Sequence, residues 1–198
     1  RGGGEDLVVL GYHMLDLMCL FAGTPKWTFA QVLVGDRDAE KSDAHSGSEP
    51  VGPVAGDAVA AMFGFDNQVH GYFQSHANKD STNDRFSLEI ECTNGRLAIR
   101  NLAHVVWVEG VAFDPAKKHQ WRSVAVPDWD HLSNADKYKW GHQRLILDVL
   151  AAAEENREPA TGIHTVRWTQ ELIQSIYASH LARARIALPL EHREHPLW

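Results

Sequence analysis

The chain has 198 residues, 44% hydrophobic and 23% charged, which is enough for one domain with a real core. A net charge of −7 without a Lys/Arg cluster disfavours a nucleic-acid partner, and no apolar run approaches the ~20 residues of a membrane span. Two cysteines without CxxC spacing exclude a disulfide framework and the common zinc and redox motifs, and they fit a cytoplasmic protein unless an upstream export signal has been removed. Arg1 followed by three glycines, with no Met and no signal-like stretch, reads as the start of an excised piece.

Residues 5–22 read as a helix. Glu5 and Asp6 sit in its first turn, where the macrodipole favours them, and Leu7, Leu10, Met14, Leu17, Met18 and Phe21 recur at helical steps, which predicts a buried stripe. Gly23 is the expected terminator, with Pro25 beyond it. A β-rich middle follows, with strands expected at 28–34, 57–65, 69–76, 85–93, 96–100, 104–109 and 120–126. Between the first two, residues 37–53 are polar and read as a long exposed loop, a lid or an insertion. Asp66–Asn67 and Asn94–Gly95 mark hairpin turns. Ala58 to Phe65 and Val105 to Val108 are apolar on both faces, which predicts that the sheet's second face is covered by another chain or domain.

Ser133 with Asp136 resembles a capping box. From there Leu145, Val149 and Ala152, with Ile146, Leu150 and Ala153, keep helical period to Asn156. A last helix over 163–184 carries Leu172, Ile173, Ile176, Tyr177 and Leu181 on one face. Strands in one block and helices in another predict an α+β fold, a mostly antiparallel open sheet with helices on one face, forming a single domain over 1–198. There is no βαβ alternation, so this is not a Rossmann domain.

Twelve histidines raise the question of a metal, but none stands in HExxH form, and His192–His195 lies in a charged tail. A metal-assisted lyase or hydrolase is therefore a minor alternative, and no metal ligand is assigned. GxSxG, GxGxxG and GxxxxGK[ST] are all missing. Whatever this chain binds, it lacks a nucleotide-binding loop of its own. His13 is the sharper candidate. Asp16 lies three residues on and within reach of the imidazole, while Asp6 is about 10 Å away along a continuous helix. The structural alternative is a helix-rim histidine paired with Asp16.

The run Gly2-Gly3-Gly4-Glu5-Asp6-Leu7-Val8-Val9-Leu10-Gly11-Tyr12-His13-Met14-Leu15-Asp16-Leu17, closed by Phe21-Ala22-Gly23, resembles the opening of the C-terminal domain in the glucose–fructose oxidoreductase / inositol dehydrogenase / MocA family. Cys92-Thr93-Asn94-Gly95-Arg96-Leu97 resembles that family's hairpin. Leu147-Asp148-Val149 onward, through Asn156-Arg157-Glu158-Pro159 and Ile176-Tyr177-Ala178-Ser179 to Ile186-Ala187-Leu188-Pro189-Leu190, resembles its closing helices and strand. The resemblance implies a glyceraldehyde-3-phosphate-dehydrogenase-like substrate domain, the partner of an N-terminal domain that binds NAD or NADP. The activity implied is hydride transfer from a sugar or polyol, with homo-oligomerisation through the open sheet face. His13 is implied as the catalytic residue, and Tyr12, Asp16, Tyr138 and Trp140 are expected to shape the substrate wall. Val9 stands where the family has an acid, and the glycine cluster lies one residue further from Gly11 than usual. That departure leaves a non-catalytic carbohydrate-binding or regulatory module as the second reading. In either case the chain alone is expected to be inactive.

Overall fold

The computed structural model describes residues 2–77, 86–100, 104–109, 121–125 and 128–198. Contacts divide the chain into two compact units, Arg1–Asp80 with Ile163–Trp198, and Ser81–Gly162. The first opens with two helices, α1 (Gly3–Val8) and α2 (Leu10–Ala22), where the sequence predicts one. They meet at Val9, whose backbone (φ −110°, ψ −80°) leaves the helical region. Gly23 ends α2 as expected, at φ +87°, with its N–H donated to the Cys19 carbonyl.

Strands β1 (Pro25–Val34), β5 (Ala58–Phe65) and β6 (His70–His76) form an antiparallel sheet, in the order β11–β1–β5–β6 with β11 (Ile186–Ala187). The polar stretch between β1 and β5 is more ordered than a plain loop. It contains β2 (Arg37–Asp38) paired to β1, one turn of 3-10 helix, and the small ladder of β3 (His45–Ser46) with β4 (Pro53–Val54). The turn is held by Arg37, which donates two hydrogen bonds to Asp43 and keeps that carboxyl down at about 2.

Register and burial agree about the two faces of this sheet. Ala30, Ala61 and Phe73 are cross-strand partners, as are Val32, Val59 and Ser75, and all six are buried. Over them lie Leu7, Leu15 and the long helix α4 (Ile163–Ala182), whose Leu172, Ile173, Ile176 and Tyr177 are almost fully covered. On the opposite face Phe29, Met62 and Tyr72 line up, with Phe29 and Tyr72 exposed.

Helix α4 also completes the sheet edge where β11 stops. The N–H groups of Ala30 and Val32 donate to Ser179 Oγ and His180 Nδ1, and the Thr28 and Ser175 hydroxyls meet at 2.6 Å. With Nδ1 accepting from a backbone N–H, the proton of the buried His180 sits on Nε2, which faces the Ala39 carbonyl at 2.7 Å. A neutral histidine therefore does the work that another strand would do.

The second unit holds a four-stranded antiparallel sheet in the order β10–β9–β8–β7, built from β7 (Ser87–Cys92), β8 (Gly95–Arg100), β9 (His104–Glu109) and β10 (Arg122–Ser123). The hairpin expected at Asn94–Gly95 forms between β7 and β8, but its two-residue turn is Thr93–Asn94, one residue earlier, with Cys92 opposite Gly95. Arg85, Gln120, Val126 and Pro127, at the ends of predicted strands, lie outside the described residues.

Helix α3 (Asn134–Glu155) is capped as its sequence suggests. Ser133 Oγ accepts from the Asp136 N–H, and Asn156 closes the helix in a left-handed conformation. Of the six apolar residues that keep helical period here, Ala152 alone is buried; Leu145, Ile146, Val149, Leu150 and Ala153 are exposed. Caps and propensity suffice to form this helix, but they do not fix what its apolar side meets. Among the described residues no helix is long and apolar enough to cross a membrane.

Candidate functional site

Helix α2 is apolar nearly all round, and its sides have different neighbours. Gly11, Met14, Leu15, Met18 and Cys19 are buried. Gly11 is required by close approach, because a Cβ there would come 2.9 Å from the Phe73 ring. The neighbouring stripe, Tyr12 with Asp16 and Cys19, leans on α4. Tyr12 donates to the Val166 carbonyl at 3.5 Å, and Thr169 Oγ1 donates to Asp16 Oδ1 at 3.1 Å. Burial, and secondly the Asp16 charge, raises the Tyr12 hydroxyl and pushes the Cys19 thiol up to about 12.

One residue on, the third stripe turns to solvent. His13 is exposed, Leu17 half-buried, and Leu20 and Phe21 are 68% and 51% exposed. An imidazole that can take or give a proton thus stands open to solvent within an apolar surface.

Asp16 does not orient that imidazole. The helical spacing allows the contact, but the Thr169 hydroxyl on α4 takes the carboxylate from the other side. No hydrogen bond to His13 is formed among the described residues. The sequence also set Asp6 aside as too distant on a continuous helix, and the break at Val9 gives that residue a different setting. Ser75 Oγ on β6 donates to Asp6 Oδ2 at 2.6 Å and accepts from the Gly3 N–H at 3.0 Å. Gly3 holds φ +60°, a conformation that favours glycine. Asp6 Oδ1 is buried and has no partner among the described residues.

Tyr138 and Trp140 belong to the second unit, in the first two turns of α3. Tyr138 is exposed, and Trp140 meets Trp129 edge-on with ring centres 5.2 Å apart. Sequence reasoning missed Trp129 as part of this cluster, along with Lys137 over its ring and Arg144 over Trp140. The helical spacing of Lys137, Trp140 and Arg144 was the available signal. Among the described residues no three His, Cys, Asp or Glu side chains converge as metal ligands would.

No family model matches this sequence, and no curated protein matches it. Solved structures do. An oxidoreductase domain protein from Kribbella flavida aligns over 93% of this chain and 51% of its own, with TM-score 0.66 and 20% identity. Levoglucosan dehydrogenase in complex with NADH and L-sorbose aligns over 91% and 49%, with TM-score 0.64 and 16% identity. The WlbA dehydrogenase from Bordetella pertussis, in complex with NADH and UDP-GlcNAcA, aligns over 96% and 47%, with TM-score 0.59 and 18% identity. The chain therefore shares the fold of one part of these oxidoreductases and spans about half their length.

Proposed function

We propose that this chain is the substrate-binding and oligomerisation domain, residues 1–198 acting together, of an NAD(P)-dependent oxidoreductase of the glucose–fructose oxidoreductase / inositol dehydrogenase / MocA type, acting on a sugar or polyol hydroxyl. The observation that carries the reading is the outward stripe of α2, an exposed imidazole bordered by Leu17, Leu20 and Phe21. A surface of this kind suits a nicotinamide and a hydroxyl-bearing carbon, which need one proton-transfer group in an otherwise water-poor setting. It also accounts for a helix with no polar face. The structural neighbours, two of them named as dehydrogenases and described with NADH, support the cofactor class.

The nicotinamide, held by a part of the enzyme outside this sequence, supplies the hydride acceptor. His13 takes the hydroxyl proton as the adjacent C–H bond gives up its hydride, so the alcohol becomes a carbonyl and the imidazole an imidazolium. Tyr12 and Asp16 act from behind, holding α2 against α4 so that the outer stripe keeps its place. Within the second unit, Tyr138 and Trp140 offer polar and stacking contacts suited to a sugar. The exposed row of Phe29 and Tyr72 is the face through which copies of the chain associate. The free thiols of Cys19 and Cys92 suit the reducing cytoplasm.

In the full-length protein, His13→Ala is expected to lower polyol-dependent NAD(P) reduction by about 10²–10⁴-fold, the usual worth of a general base. An unchanged rate overturns the assignment. Saccharide binding without any turnover in the parent protein favours the non-catalytic module. Tyr72→Lys is expected to shift the sedimentation of the full-length protein to the monomer, and an unaltered oligomer would remove the sheet face from the proposal.

A further inference from the structure

We propose that the first turns of α3, with Trp129, form a subsite for an anionic sugar, a saccharide ring bearing a carboxylate or a phosphate. Lys137, Trp140 and Arg144 follow at three-, four- and seven-residue steps, so they share one face of α3 over about 10 Å of axis. The Arg144 guanidinium carbon lies 4.8 Å from the centre of the Trp140 ring, and Lys137 Nζ lies 5.8 Å from that of Trp129. An aromatic face positions a cation without neutralising it.

The two aspartates of the helix, on either side of these cations in sequence, are engaged elsewhere. Asp136 accepts from the Ser133 hydroxyl and pairs with Lys139, while Asp148 accepts from Arg157 and from the Ala160 N–H. Neither Lys137 nor Arg144 has a carboxylate within ion-pair distance among the described residues. Single cation–indole pairs recur elsewhere, as Arg167 with Trp168 and Arg185 with Trp27, but on α3 two such pairs are joined through the Trp129–Trp140 contact, with no carboxylate on either cation among the described residues. Gly141, next to Trp140, has nothing within 4 Å of where its Cβ would stand.

The arrangement matches the parts of an acidic sugar. The apolar face of the ring lies on an indole, and the acid group meets the planar fork of Arg144 or the ammonium of Lys137. This subsite rests on the proposed function for its place in a reaction, but its binding chemistry stands on α3 and Trp129 alone.

The test is calorimetric titration of the intact protein, without added nicotinamide, with glucuronate, glucose 6-phosphate and glucose. At least one acid is expected to bind about ten-fold or more tightly than glucose, as charge-assisted bonds require. The tighter of the two acids identifies the group recognised. The advantage should shrink as salt rises to about 0.5 M and vanish in Lys137→Gln/Arg144→Gln. It should persist in Lys139→Gln, whose ammonium is already paired with Asp136. Equal binding of the three sugars, or an acid preference that survives the double substitution, overturns the subsite. An acid preference without His13-dependent turnover upholds the subsite and removes the oxidoreductase reading. Turnover of neutral sugars with no acid preference does the reverse.

Discussion

Tyr12, Asp16 and Cys19 differ from His13, Leu17 and Leu20 by one position each along α2, and the two stripes have opposite surroundings. The first is tied to α4 by two hydrogen bonds, and burial perturbs its tyrosine and its thiol. The second has an open imidazole and a leucine 68% exposed. Two adjacent apolar stripes on one helix thus divide the labour, one fastening the helix and one presenting it. Tyr12 and Asp16 on the fastening side bond within the chain, whereas the histidine on the other side is exposed and has no hydrogen-bond partner among the described residues.

The widest separation between the stripes should come from truncating a leucine on the buried and the open sides. Leu15 is fully buried, and Leu15→Ala is expected to cost about 2–5 kcal/mol in urea unfolding. Leu20→Ala should stay within about 0.5 kcal/mol of the parent. Equal costs would mean that the outer stripe is covered within this chain, which removes the surface on which the proposed function depends.

A smaller effect is expected from Cys19. Its thiol is held up to about 12, chiefly by burial and then by Asp16, against an ordinary value of 9.0. Between pH 9 and about 12 the unfolded chain gives up this proton and the folded chain keeps it, so stability falls as pH rises, by at most about 1.4 kcal/mol per pH unit. Tyr177, also held up to about 12 by burial, adds to the fall above pH 10. Cys19→Ala should therefore flatten the stability profile from pH 9 to 10 and leave a slope above it. A profile with the same slope in the variant would place the thiol in contact with solvent.

The parts of this fold that could be read in the sequence are those fixed by local chemistry. Gly23, Ser133 and Asn156 each bound an element by their own backbone preferences, and each does so in the structure, while the Asn94–Gly95 signal marks a hairpin whose turn falls one residue earlier. The interruption at Val9 could not be read that way, because the apolar period runs straight through it. Its neighbours are tied by partners far along the chain, Asp6 by Ser75 and Gly11 by the ring of Phe73. The site divides in the same manner. His13 could be singled out in the sequence, but the helical period counts Leu17 and Phe21 with the buried stripe, whereas Leu17 is half-buried and Phe21 exposed on the side of the imidazole; the partner of Asp16, Thr169, comes more than 150 residues later. An i,i+3 spacing shows that Asp16 can reach His13, and it cannot show that a hydroxyl on another helix reaches Asp16 first.

The smallest expected effect also separates the stripes most cleanly. His13 has no hydrogen-bond partner among the described residues and is exposed, so His13→Ala removes no bond and opens no cavity. Its unfolding free energy should match the parent within about 0.5 kcal/mol, while its activity in the full-length protein falls by orders of magnitude. A residue retained for packing shows the opposite pattern, a loss of stability with activity lost only in proportion to the folded fraction. If the variant melts clearly earlier than the parent, the imidazole belongs with Tyr12 and Asp16 as a fastening group, and the outer stripe loses its one chemical function.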